Sequence, residues 1–189
     1  FGKPLAEPNL PEVALLVALA DLGGVWPVMT VTAALSDAAD ATTRAAVRFL
    51  FRAAITKGDW LGGDDAAPEA NSGYIVLGMG KHGAHELNYS SDIDLIVFYE
   101  PDLVRLRLGV EPLAFFVRMT RDLVRLMQER TGVGYVFRTD LRLRPDPGAM
   151  PVALSTNSAL NYYESFGQNW ERAAMIKARV VAGDLEAGA

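Results

Sequence analysis

The chain has 189 residues, half of them hydrophobic, and no apolar run long enough to cross a bilayer, so it is expected to fold as a soluble globular domain with a sizeable core. Its net charge of -5 opposes a sequence-independent grip on nucleic acid, because a polyphosphate backbone is held by clustered Lys and Arg that release counterions. No cysteine, cleavable leader or lipidation signal is present, which fits a cytoplasmic protein with no membrane partner. The first residue is not methionine and the last two are Gly188-Ala189, which suggests an excised piece of something longer.

Taken in order, Glu12 to Leu22 carries a helical apolar pattern (Val13, Leu16, Val17, Ala20). Asp37 to Thr56 is rich in alanine, with Val47, Leu50, Phe51 and Ala54 at helical spacing. Arg44, Arg48 and Arg52 lie four apart on one face of that second helix, as a solvated face or an anion contact. Residues 1–60 are read as a helical extension. Gly58 to Gly73 is a turn-rich loop or boundary.

From Tyr74 the pattern changes. Tyr74-Ile75-Val76-Leu77 and Asp92 to Tyr99 are β-prone runs joined by a glycine-rich connection. Leu113 to Glu129 is an amphipathic helix with Phe116, Leu123, Leu126 and Met127 toward the core. Tyr135 to Leu143 alternates as a half-buried strand does, stopped by Pro145 and Pro147-Gly148. Asn157 to Phe166 and Trp170 to Val181 are read as helices, with Trp170 in the core. This order predicts an α+β (or α/β-like) fold built on a small mixed sheet, with a core over residues 74–184 and a truncated tail over 185–189.

The chemistry concentrates on the second strand. Asp92 and Asp94 are two residues apart, so both carboxylates point to one side while Ile93 and Leu95 point to the other. Two adjacent anions on one face repel unless a cation lies between them, and Mg²⁺ suits carboxylate oxygens shared with substrate phosphates. Asp140 on the third strand is the further candidate ligand. Alone, Asp-x-Asp reads equally as a surface strand start, with Asp140 paired to an arginine.

Gly78-Met79-Gly80-Lys81-His82-Gly83 follows the first strand and leads toward Ser90-Ser91, so a flexible backbone passes close to the carboxylates. Gly78, Gly80, Lys81, Ser90 and Ser91 are candidates for holding phosphate oxygens. The spacing is neither a Walker loop nor a Rossmann fingerprint. Arg138, Arg142, Arg144, Arg172, Lys177 and Arg179 concentrate positive charge in the last third, enough for one or two phosphate groups.

The run from Gly78 to Ile96 closely resembles the signature of the bacterial glutamine synthetase adenylyltransferase/adenylyl-removing enzymes. Phe137 to Pro145 resembles that family's second block, and Tyr162-Tyr163, Trp170-Glu171-Arg172, Lys177-Ala178-Arg179 and Ala182-Gly183-Asp184 resemble its third. The resemblance implies a polymerase-β-type nucleotidyltransferase fold using one or two Mg²⁺ ions. Asn88 to Asp94 and Trp170 to Lys177 are more similar to the N-terminal, adenylyl-removing half than to the adenylylating half. That half implies phosphorolysis of the AMP–tyrosine bond of glutamine synthetase, giving ADP and regulating nitrogen assimilation. Phosphate and the nucleotides AMP, ADP and ATP are then ligands, and the PII signalling protein is an implied regulator.

On this reading Asp92, Asp94 and Asp140 hold the metal. Arg142 and Arg144 orient the phosphate or pair with Asp140 and other acids, while Glu171, Arg172, Lys177 and Arg179 close the pocket. Alternatives are the ATP-dependent adenylylating half, another polymerase-β-like nucleotidyltransferase, or a degenerate nucleotide-binding or docking module. The sequence departs from the family at His82, Ala84 and His85, where Leu, Gly and Arg are more usual, and both histidines are read as loop residues.

Overall fold

In the computed structural model, which describes residues 10–64, 66–132 and 134–189, a mixed five-stranded sheet is flanked by helices on both faces, an α+β architecture. The chain opens with α1 (Leu10–Leu22) and the long α2 (Val28–Lys57). Strand β1 (Tyr74–Gly78) runs into the one-turn helix α3 (Gly80–Gly83), and β2 (Ile93–Tyr99) returns antiparallel to β1, with Gly78 opposite Leu95. After α4 (Pro112–Gln128) come two short strands, β3 (Thr139–Asp140) and β4 (Leu154–Ser155), both parallel to β2. Helices α5 (Thr156–Ser165) and α6 (Asn169–Ala174) lead through a 3₁₀ turn (Met175–Lys177) into β5 (Arg179–Gly183), antiparallel to β1.

Alternation along β2 divides the interior into two cores, as a period of two requires. Ile93, Leu95, Val97 and Tyr99 join Tyr74, Val76, the α2 stripe Val31, Leu35, Ala39, Val47 and Phe51, and Phe115, Phe116, Met119, Leu123 and Met127 of α4. Ile96 and Phe98 face the other way, packing with Ile75, Met79, Leu154 and Ala159. The first core is knit by aromatic rings: Tyr74 and Tyr99 stack on Phe116 at centroid distances of 5.4 and 4.8 Å, and Phe51 meets Trp60 edge-on at 5.3 Å. Burial pushes the Tyr74 hydroxyl pKa up, and that hydroxyl sits 2.9 Å from the Thr120 hydroxyl.

Several elements differ from the sequence pattern. Helix α2 begins at Val28, nine residues before Asp37, and its added turns bury Val31, Leu35 and Ser36 in line with Ala39 and Thr43. The strand expected over Tyr135 to Leu143 shrinks to Thr139–Asp140. The Val136 and Phe137 amides donate instead to the Met127 carbonyl at the end of α4, at 3.0 and 2.9 Å, and the Arg142 amide donates to the Asp140 carboxylate. The helix expected from Trp170 to Val181 stops at Ala174, and the β-branched pair Val180-Val181 joins the sheet beside β1. Trp170 is 55% exposed rather than in the core, as are Leu16 at 60% and Leu126 at 37%. Among the described residues no helix is long and apolar enough to cross a membrane.

Candidate active site

The site lies where β2 begins, at the end of the sheet nearest the glycine turn. Parallel pairing of β2 with β3 sets Asp94 directly beside Asp140, and Asp92 immediately precedes β2. Asp94 shares the face of Ile96 and Phe98. Burial raises the pKa of its carboxyl, and the neighbouring Asp140 and Asp92 carboxylates raise it further. Asp140 goes the other way: hydrogen bonds from the Arg142 side chain hold its carboxyl below the usual range, against the cost of partial burial.

Arginines answer two of the three charges. Arg142 donates from Nε and Nη2 to Asp140 Oδ2 at 2.8 and 2.6 Å while its side chain remains 84% exposed. Arg138 donates from Nε to Asp92 Oδ1 and from Nη2 to the Ser90 carbonyl at 2.8 Å. Among the described residues no arginine hydrogen-bonds to Asp94, and Arg142 acts on it only through its charge. As these side chains stand, no group of three or more His, Asp or Glu among the described residues is gathered tightly enough to hold a metal ion. The donor set nevertheless fits a hard divalent cation: three carboxylates on adjoining backbone, of which the central one resists ionisation because of burial and then of its neighbours. Gathering them around a cation requires the two exposed arginines to turn outward.

The glycine turn is held against this cluster. The Met79 amide donates to the Asp94 carbonyl at 2.8 Å. Gly80 has φ +54°, and a Cβ there would lie 3.1 Å from Asp94 Oδ2, so its backbone is as close to the carboxylate as a side chain permits. A Cβ on Gly83 would lie 1.8 Å from the Lys177 carbonyl oxygen, which no larger residue can satisfy without moving backbone. Lys81 and Ser90 are exposed, and Ser91 is half-buried with its hydroxyl 3.0 Å from Asn88 Oδ1.

The other residues singled out from the sequence do not converge here. Arg144 donates to the Leu141 and Pro147 carbonyls, both at 2.8 Å, pinning its own loop. Glu171 is buried, accepting from the Tyr162 hydroxyl at 3.0 Å and from the Gln168 amide at 2.7 Å as half of a capping box. Arg172 donates to the Tyr163 carbonyl, and Lys177 pairs with Glu86 at 2.8 Å. On α2, Arg44 donates to the Val181 carbonyl and Arg48 to Glu69.

Arg179 is engaged inside the protein. It forks onto Asp40 of α2, a residue the sequence pattern did not single out, and Asp40 also lies 2.8 Å from His82 Nε2. His82 lies in α3 rather than in a loop, and is fully buried. The available signal was a charged residue four positions after Ser36, on a stripe otherwise made of small and apolar side chains.

Beside the cluster, Ser90, Ser91 and Arg138 line the mouth of a cavity of about 300 Å³ walled by Val13, Leu35 and Phe137.

A family model described as glutamate-ammonia ligase adenylyltransferase matches residues 11–189. Among curated relatives, proteins named bifunctional glutamine synthetase adenylyltransferase/adenylyl-removing enzyme are similar to the chain. They include one from Bradyrhizobium sp. (strain ORS 278), 60% identical, and one from Rhodopseudomonas palustris (strain TIE-1), 61% identical, each over 94% of this chain. A third, from Mesorhizobium japonicum, is 58% identical over the same share. The chain spans 18% of the length of each of these relatives.

Proposed function

The chain belongs to the glutamate-ammonia ligase adenylyltransferase family, and from that premise we propose that it carries the nucleotidyltransferase core of the adenylyl-removing half. The fold proposed is of the polymerase-β type, with catalysis seated in residues 74–184 and residues 1–60, of which 1–9 lie outside the described residues, as the helical region leading into it. The substrate is adenylylated glutamine synthetase, and the reaction is phosphorolysis. An oxygen of inorganic phosphate forms a bond to the AMP phosphorus, the bond to the tyrosyl oxygen breaks, and that oxygen leaves as the free tyrosine hydroxyl after taking a proton. The products are ADP and unmodified enzyme. The carrying observation is the pairing of Asp94 with Asp140 across β2 and β3, with Asp92 beside them.

Asp92, Asp94 and Asp140 would hold Mg²⁺, which when bound neutralises charge on the reacting phosphoryl oxygens. The chain's own residues do the positioning. The half-buried backbone of Gly80, against Asp94, would lie along a phosphate, with Gly78 buried behind it between Val181 and His82, and Lys81, Ser90 and Ser91 are exposed or half-buried donors. Arg142, at the surface end of the cluster, is placed to swing from Asp140 to the incoming phosphate, as a guanidinium fork suits either anion. Resemblance of Asn88–Asp94 and Trp170–Lys177 to the removing half supports that half over the transferring one. A cytoplasmic setting and regulation by the PII signalling protein belong to the same proposal.

The test is ADP release from adenylylated glutamine synthetase with Mg²⁺ and phosphate, beside ATP-dependent labelling of the unmodified enzyme, with Asp92→Asn as the blank. Phosphate-dependent ADP that disappears in the blank supports the reading. ATP-dependent labelling instead assigns the chain to the transferring half, a reading open because the relatives' names cover both activities.

A further inference from the structure

We propose that the buried cluster of Asp40, His82 and Arg179 is a positioning device, through which helix α2 sets the glycine turn against Asp94. The inference rests on the reading above for its catalytic meaning, while its mechanical content stands on geometry alone.

Asp40 projects from the middle of α2 and is 5% exposed; His82, in α3, is completely buried. A carboxylate can only accept, so the contact of 2.8 Å between them puts the proton on His82 Nε2. Arg179, the first residue of β5, binds both oxygens of Asp40, and the same guanidinium donates to the carbonyls of His82 and Gly83, each at 3.2 Å. These are carbonyls at the end of α3, of which that of His82 also accepts from the His85 amide at 3.3 Å. Arg179 therefore ties two features at once: the last turn of the glycine segment and a carboxylate on another helix.

Burial opposes ionisation of Asp40, yet the hydrogen bonds from His82 and Arg179 outweigh it and hold its carboxyl below the usual range. The cluster is thus an ion pair to which the His82 imidazole links the turn through Nε2, while among the described residues the buried His82 Nδ1 has no hydrogen-bond partner. Its geometric effect is directional. Gly83 is pressed against the Lys177 carbonyl, Gly78 pairs with Arg179 across β1 and β5, and the far end of the same turn places Gly80 against Asp94 Oδ2. Only a few peptide units separate the clamp from the carboxylate, so a shift at His82 or Gly83 is passed to Gly80. The helical region preceding the strands is in this way part of the site's construction.

Asp40, His82 and Arg179 are positioning residues, so the readout must separate position from stability. In the full chain, amide hydrogen exchange at Gly83 and Ala84, whose N–H groups bond to the Met79 and Gly80 carbonyls, reports the turn without any ligand. Asp40→Asn and Arg179→Lys are compared with Arg48→Gln, which breaks a different ion pair of α2, to Glu69. The expected result is faster exchange at Gly83 and Ala84 in the first two variants and not in Arg48→Gln. Affinity for Mg²⁺·ADP, measured per folded molecule, should fall roughly tenfold in the same two variants and stay unchanged in the control. Unchanged protection of the turn in Asp40→Asn, or equal loosening in Arg48→Gln at matched melting temperature, overturns the proposal. If wild type binds no Mg²⁺·ADP, the nucleotidyltransferase reading fails while the exchange comparison still decides whether the clamp exists.

Discussion

Two acidic groups flank the glycine turn and are handled in opposite ways. Asp40 is buried, bridged by His82 and forked by Arg179, and its carboxyl is held below the usual range. Asp94 is half-buried beside two further carboxylates, accepts from no arginine among the described residues, and its carboxyl is pushed up by burial and by Asp140 and Asp92. The first arrangement is what a stable fold requires of a buried charge: full pairing and hydrogen bonding. The second leaves like charges together, a cost that folding alone does not explain. Electrostatic strain kept at one end of the sheet, next to an ion-paired network that holds the neighbouring backbone, is the pattern expected where a cation and phosphates are to be bound.

The sharpest way to break this comparison is at Asp94. Asp94→Asn should reduce turnover by at least about 100-fold while leaving the melting temperature unchanged or higher, since it removes a like-charge contact. A melting temperature several degrees lower would mean that Asp94 supports the fold as Asp40 does. Next in size is the hinge between the two clusters. Gly83→Ala drives a methyl group into the Lys177 carbonyl and should cost about 3 kcal/mol in chemical denaturation, because backbone rather than a flexible side chain must yield.

The pH dependence separates the two aspartates by sign. Asp40 has a depressed pKa, so its contribution to stability is present above the ordinary carboxylate range and is lost as pH falls through the depressed value. Asp94 has a raised pKa, so its contribution is present below the ordinary range and is lost as pH rises through the raised value. Melting curves between about pH 3 and 7 should therefore show a shallower acid limb for Asp40→Asn. For Asp94→Asn they should show less loss on approaching neutrality, and the same slope change in both variants would refute the distinction. The smallest effect is expected at Arg142, whose side chain is almost fully exposed. Arg142→Gln should leave the melting temperature within error and raise the KM for phosphate by a factor of several, since an exposed ion pair adds little to stability.

Much of this protein was legible from its residues. The two-residue spacing of Asp92 and Asp94 on a β-prone run puts both on one face wherever the strand goes, because strand periodicity is local. The β-prone runs Tyr74 to Leu77 and Asp92 to Tyr99 likewise identified two strands, whose side chains divide the core. Failures came where partners distant in sequence decided the outcome. Val180-Val181 sits in a segment whose pattern continues a helix, and pairing with β1 turned it into a strand. Residues 135–138 alternate as a strand does, but the Met127 carbonyl took two of the amides a strand would have used.

Local chemistry by itself determined which residues carry charge and where the chain bends back on itself. It also set which side chains share a strand face, since each depends on neighbours a few positions away. Only the tertiary structure decided which arginine serves which carboxylate, because an ion pair is chosen by proximity in space and not by spacing along the chain. Arg179 illustrates the point: its sequence neighbours suggest a phosphate contact, and the fold instead brings to it Asp40, 139 residues away, together with the carbonyls of the turn it steadies.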